Sequence, residues 1–279
     1  MYHSICSPKN SEEFKNYLYE HISIEEDLFE QQILYLKKRG HTFISFKDLA
    51  TADIRNIYKP TIIYFDDGFK NLLTNAAPIL HKYGIPATIF LITGILDHTH
   101  MLWTIQYKHA SHEGGIAKDE QNYQIENIKN KTDRKRIEVM RQFPIDKHSP
   151  LFHIFLSWND VALLVKNNFE LGSHSVSPAR LTECSPQELQ FEIVHSKRRI
   201  EEETGQKVDS FSFPHSRGSE QLIGELGKYG YRFGVSAGKG LNNMPISNHM
   251  MHYLKNISPK PGESLWMFAL RIYFLNIKT

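Results

Sequence analysis

Thr61-Ile62-Ile63-Tyr64-Phe65-Asp66-Asp67-Gly68 is a run of strand-forming side chains that ends abruptly in two adjacent carboxylates and a glycine. β-Branched and aromatic residues in unbroken succession suit a strand buried on both faces. Two acids side by side at its end are costly to desolvate unless a cation or a shared proton relieves their repulsion. The stretch therefore predicts an interior strand with a metal or acid/base site at its carboxyl end. The plainer alternative is a pair of acids capping a helix start, which carboxylates also suit.

Downstream of this run, residues 71–83 have helical periodicity, Gly84-Ile85-Pro86 interrupts them, and residues 87–92 form an almost wholly apolar strand before Thr93-Gly94. Strand, helix, strand in that order implies a parallel sheet. Upstream, Ser23-Ile24-Glu25-Glu26 has capping-box spacing and predicts a helix carrying Phe29, Ile33 and Leu36, stopped by Gly40. Residues 43–46 read as a short strand and 47–50 as a helical turn.

Farther along, Ser157 or Asn159 can cap a helix carrying Val161, Leu164 and Val165, and residues 169–174 read as a strand ending in a histidine. Ser185-Pro186-Gln187-Glu188 combines an N-cap, a proline at the first helical position and a capping-box glutamate. Strands at 208–213 and 231–236 flank a helix at 220–229 closed by Gly230. Repeated β-α units of this kind predict one α/β domain over residues 1–279, a distorted parallel (β/α) barrel with its site at the strands' C-terminal rim. Residues 98–150 are expected to form an irregular surface insertion with some helix. The aromatic-rich tail 265–274 reads as an amphipathic helix closing the fold.

The chain has 279 residues, 41% hydrophobic and 23% charged, which suits a soluble globular protein, and a net charge of +2 gives no reason to expect nucleic acid. The first residues lack an apolar core of signal-peptide length and no later run approaches a membrane span, so a cytoplasmic location is expected. Cys6 and Cys184 are read as two reduced thiols, without a CxxC spacing for a thiolate metal site.

Three strand ends carry the polar chemistry: Asp66-Asp67, Ser173-His174-Ser175 and Phe213-Pro214-His215. In a parallel barrel such ends converge, and carboxylate with imidazole is a workable ligand pair for zinc or another divalent metal. His98, His100, His109 and His112 lie in the irregular stretch and are read as solvated. Of the three tryptophans, Trp103 is the candidate for stacking on a sugar ring, because its segment leaves a strand end near the proposed pocket.

Phe65-Asp66-Asp67-Gly68-Phe69, Gly172-Ser173-His174-Ser175-Val176-Ser177 and Phe211-Ser212-Phe213-Pro214 appear in the order of three family motifs. Through them the chain resembles the polysaccharide deacetylases of the NodB-homology group, carbohydrate esterase family 4. Tyr2-His3-Ser4, residues 86–90 and residues 230–234 extend the likeness. The resemblance implies a NodB-type barrel and a metal-dependent hydrolase that removes an acetyl group from an N-acetylated amino sugar in a glycan or glycan precursor. By that resemblance Asp66 would be the general base, and Asp67 and His174 ligands of a divalent metal, zinc being the one expected. The backbone N–H of His215 would serve as oxyanion donor, with Pro214 and Trp103 contacting the saccharide.

Two positions depart from the pattern. Pro178 stands where the second motif normally has its second histidine, and Ser212 where an arginine or small residue is usual. His215, or more weakly His3, is the candidate for the missing imidazole. These departures also motivate the rival expectation, a pseudoenzyme that keeps the fold and binds a saccharide or protein without hydrolysis.

Overall fold

The first two strands, β1 (Ser4–Cys6) and β2 (Ser23–Glu25), pair in parallel and lead into α1 (Glu26–Lys38). This differs from the expected capping box at Ser23. The Ser23 hydroxyl donates to Ser4 Oγ at 2.9 Å instead of capping, and Ile24 is buried, so a partner 19 residues away outweighs the local motif. The structure is a computed structural model and describes residues 1–7, 22–51, 54–216, 218–243, 246 and 248–277.

A second small pair, β3 (Thr42–Phe43) with β4 (Pro60–Thr61), brackets α2 (Phe46–Thr51). The strand expected over 43–46 stops at Phe43 because Phe46 already opens the helix. The Glu170 carboxylate accepts the free N–H groups of Phe46 and Lys47, both at 2.9 Å, satisfying two of the donors that a helix start leaves unpaired.

The main sheet has six parallel strands in the spatial order β10-β9-β8-β7-β6-β5. They are β5 (Ile63–Phe65), β6 (Ala87–Leu91), β7 (Glu170–Ser173), β8 (Ser210–Ser212), β9 (Phe233–Lys239) and β10 (Leu254–Asn256). Tyr2 bridges in parallel to Phe65 and gives the β5 edge a seventh position. The sheet curls, because Phe46 lies against Tyr64 and Phe90 near one edge and against Phe233 near the other, at ring separations of 5.4–6.4 Å. The expected distorted parallel barrel is therefore observed, filled by a cluster that also takes in Val235 and Leu254. Gly172 is needed where β7 crosses β6: a Cβ there would lie 2.3 Å from the Phe90 ring.

Helices cover the outer face. A π-helical turn, Leu72–Ala76, leads into α3 (Ala77–Tyr83), and α4 (Thr93–Leu96) follows β6. The expected irregular insertion is instead largely helical, with α5 (Trp103–Glu113), α6 (Lys118–Lys129) and α7 (Asp133–Met140) enclosing a small cluster of Tyr107, Ile128 and Met140. Its few apolar residues suffice because the helices also lean on the barrel. Beyond it, α8 (Trp158–Lys166) is capped by Ser157, one of the two residues expected, in a capping box with Asp160, and α9 (Pro186–Gln190) starts with the expected box of Ser185 with Glu188. A π-helical turn joins α9 to α10 (Ser196–Thr204), then come α11 (Glu220–Glu225) and α12 (Leu265–Ile277).

Candidate active site

Asp66 and Asp67 follow β5 directly. The Asp66 N–H donates to the Tyr2 carbonyl at 3.0 Å, and the Tyr2 N–H to the Tyr64 carbonyl at 2.9 Å, so the amino-terminal segment fixes the acidic pair from one side. Asp67 has φ +71° and Gly68 φ +75°, two successive left-handed residues that turn the chain sharply off the strand. Asp66 is 2% and Asp67 9% exposed, so both carboxylates are withdrawn from solvent.

His174 enters from the end of β7, its N–H donating to the Leu91 carbonyl at 2.8 Å. Its Nδ1 lies 2.8 Å from the Ser212 carbonyl. A carbonyl only accepts, so Nδ1 carries the proton and, in the neutral ring, Nε2 presents a lone pair. That lone pair faces Asp67 Oδ1 at 3.5 Å. Burial lowers the His174 pKa, against the opposing pull of Asp67 and the Ser212 carbonyl. Burial also pushes Asp67 up to about 6, His174 opposing and Asp66 adding to the rise. Near neutral pH an acceptor nitrogen thus faces a carboxylate oxygen, an arrangement that needs a proton or a cation between them.

The donor set fits a cation. Ligand distances of about 2.0–2.1 Å at a tetrahedral angle put an oxygen and a nitrogen about 3.4 Å apart, close to the separation observed. A carbonyl held by the non-ligating nitrogen is also the usual way a metal-binding imidazole is oriented. Among the described residues, however, no three His, Cys, Asp or Glu side chains come close enough together to hold an ion.

His215, the expected source of a third imidazole, meets Pro178 instead. His215 Nε2–H donates to the Pro178 carbonyl at 3.1 Å, so this imidazole ties the third motif to the second instead of pointing at Asp67. The residue keeps exposed surface, yet the protein around its ring, aided by Arg136 and Arg180, pulls its pKa down to about 4 against the Pro178 bond. Pro214 is buried at the start of the same turn, Pro214–Ser216. Trp103 does not offer a bare ring. It packs in the insertion cluster with the Arg136 guanidinium 5.5 Å from its centre, a structural role for the residue expected to stack on sugar. His98, from the histidine-rich stretch, stacks on Phe152.

Three residues matter more than their sequence context suggested. His3 follows Tyr2 into the site; burial, then His174 and the amino terminus, pull its pKa down to about 3, so its ring is neutral. Glu192 is buried and accepts from the Val176 N–H at 2.9 Å, the Ser177 N–H at 2.8 Å and the Ser177 hydroxyl at 2.6 Å, clamping the loop after His174. Its sequence signal is a carboxylate four residues before Ser196, whose burial puts both on the inner face. Arg180 holds the insertion to that loop, donating to the Lys129 and Lys131 carbonyls at 2.5 and 2.7 Å while its N–H bonds Asp133.

Comparison with known proteins identifies the family and the fold. The YxkH protein of Bacillus subtilis, which carries a polysaccharide-deacetylase name, is 22% identical over 262 residues, 93% of this chain and 70% of its own length. A Staphylococcus aureus poly-beta-1,6-N-acetyl-D-glucosamine N-deacetylase is 37% identical over 87 residues, 30% of this chain and 28% of the relative. The Streptococcus pyogenes deacetylase PplD, solved with acetate, superposes with a TM-score of 0.65 at 19% identity, covering 98% of this chain and 96% of that one. The family model described as polysaccharide deacetylase matches residues 55–234, a span that carries β5 with its acidic pair, His174 and Pro214-His215, and the chain belongs to that family.

Proposed function

We propose that this chain hydrolyses the acetamide of an N-acetylated amino sugar within a glycan, using a divalent cation held by Asp67 and His174. The observation that carries the reading is the opposed pair, Asp67 Oδ1 and His174 Nε2 at 3.5 Å, beside the buried Asp66. The named activity of the staphylococcal relative supports an N-acetylglucosamine polymer or its precursor as substrate. Oxygen and imidazole donors favour zinc among divalent ions.

When bound, the ion would polarise the acetyl carbonyl and lower the pKa of the attacking water. Asp66 takes that water's proton as its oxygen adds to the carbonyl carbon. Asp66 then gives that proton to the leaving nitrogen, the C–N bond breaks, and the products are the free amine and acetic acid, which ionises to acetate. His174 keeps its orientation throughout through the Ser212 carbonyl. The His215 N–H, at the turn after Pro214, is the backbone donor available to the developing oxyanion.

The test is metal content after purification together with acetate release from N-acetylglucosamine oligomers. Asp66→Asn should retain the ion and lose turnover by about 10²–10⁴-fold, the usual worth of a positioned base. Turnover that survives the substitution would remove Asp66 from its role. One observation favours a second reading, a saccharide-binding pseudoenzyme: no third protein ligand joins Asp67 and His174 among the described residues. Stoichiometric metal with no turnover on any acetylated sugar would decide for it.

A further inference from the structure

The carboxy-terminal helix α12, Leu265-Trp266-Met267-Phe268-Ala269-Leu270-Arg271-Ile272-Tyr273-Phe274-Leu275-Asn276-Ile277, lies beyond the 55–234 span of the family match and has apolar surface on two sides. One side is buried. Phe268 and Ile272 are 2% and 8% exposed and pack on Leu36 and Tyr35 of α1. The same two residues wall a cavity of about 610 Å³ between the sheet's edges, reached by Tyr64 from β5 and Leu254 from β10.

The other side faces solvent. Trp266, Met267, Tyr273 and Phe274 are 70%, 54%, 57% and 56% exposed, four of the twelve strongly exposed large apolar side chains in the described residues, all on one 13-residue helix. At 100° per residue, positions 266, 267, 270, 273 and 274 fall within an arc of about 120°. The one charged residue of the helix, Arg271, is taken up by Glu263 and the Ser258 carbonyl. A contiguous apolar stripe of this kind marks an interaction surface rather than scattered exposure.

Charge around the stripe identifies what covers it. Segments 36–47, 56–65 and 241–277 supply most of the cavity wall and α12 itself. They contain eight Lys or Arg residues and a single acid, Glu263, although the whole chain carries a net charge of only +2. Lys37, Lys38, Arg39, Lys59, Lys255 and Lys260 are all exposed. Aromatic residues on a short apolar face, with exposed cations on the segments that pack with the helix, are the features of a helix lying in the headgroup region of an anionic bilayer. At 1.5 Å per residue the 13 residues extend about 20 Å, too short to span one.

We infer that α12 and its basic surround dock this protein on an anionic lipid surface, the helix lying in the plane of the interface. Docking works through Trp266, Met267, Tyr273 and Phe274 entering the acyl boundary while the lysines meet headgroup phosphates. The proposal is independent of whether the active site turns over.

The experiment is sedimentation of the full chain with phosphatidylcholine vesicles, with and without phosphatidylglycerol, followed also by tryptophan emission, in which Trp266 is the most exposed of the three indoles. The anionic vesicles should bind at least about tenfold more tightly than the neutral ones, since each cation near such a surface contributes. Emission should shift to the blue on binding. The double variant Trp266→Ser, Phe274→Ser changes only exposed side chains, so its thermal unfolding should match wild type while vesicle affinity falls at least about tenfold. Three results overturn the proposal: no binding to either vesicle, binding unaffected by the double variant, or a solution dimer that the variant dissolves while vesicles are ignored. The last would assign the stripe to a second copy of the chain.

Discussion

Asp67→Asn should stabilise the metal-free protein. The Asp67 carboxyl is buried, and its pKa stands at about 6 against an ordinary 3.8. At 1.36 kcal/mol per unit, the ionised side chain costs the folded state about 3 kcal/mol once the pH is well above 6. The sign follows from proton binding: the native state holds this proton more tightly than the unfolded chain, so the favourable contribution exists at low pH. It fades as pH rises from 3.8 through about 6. Asparagine removes the charge at constant shape, and it tolerates the left-handed conformation that φ +71° imposes. In EDTA at neutral pH the variant should melt roughly 5–10 °C above wild type, and the difference should close as the pH is lowered toward 4. Adding a divalent ion should reverse the order. Wild type gains about 4.1 kcal/mol at a thousandfold excess over Kd, more than the about 3 kcal/mol it lacks in EDTA, whereas the variant has lost its anionic ligand and gains little. Thermal unfolding in EDTA and with zinc, across that pH range, reads both effects. A variant less stable than wild type in EDTA at neutral pH would refute the electrostatic reading of the pair.

Two further outcomes follow from the same contacts. Glu192→Gln removes a carboxylate that accepts three hydrogen bonds from Val176 and Ser177, and should weaken cation affinity about 10–100-fold by isothermal titration while leaving Asp66 in place. Burial raises the pKa of both thiols, but Glu192, Glu188 and Glu183 add to it at Cys184 and push it up to about 11, so Cys184 should react with iodoacetamide more slowly than Cys6 at neutral pH, as intact-mass kinetics would show; comparable rates would contradict the glutamates' contribution.

Much of the fold was legible because its signals are local. The β5 run is apolar throughout, and the capping boxes at Ser157 and Ser185 involve partners three residues apart. Ser23 carried the same kind of signal and was misleading, since Ser4 and the pairing with β1 compete for that segment. The strand at Phe46 failed for a similar reason: the cap that starts the helix comes from Glu170, 124 residues away. In the site, the convergence of Asp67 and His174 could be read from their places at strand ends. Trp103 could not be judged without Arg136 over its ring, nor His215 without the Pro178 carbonyl, because each role depends on a contact between separate loops.

Those loops share a backbone feature that bears on function. Among the described non-glycine residues, six have positive φ, and three of them are Asp67, Ser175 and His215, one in each motif loop. A non-glycine residue held there costs on the order of 1–3 kcal/mol and persists only where surrounding contacts over-determine it. Here those contacts are visible: Tyr2 and Gly68 flank the first loop, Glu192 clamps the second, and His215 closes the third onto the second. The contact that closes the third loop uses the Pro178 carbonyl, so the residue replacing a ligand imidazole still contributes to the site through its backbone. A loop built only to connect strand to helix has no need to hold Asp67 Oδ1 against the His174 lone pair at 3.5 Å. Strain at three loops together with an unrelieved acceptor pair is the form expected of a preorganised site, which the proposed hydrolysis would use. Gly at Ser175 should therefore raise stability on either reading, and function separates them: the proposed hydrolase should lose turnover with it, whereas a scaffold that merely kept its fold should bind saccharide unchanged.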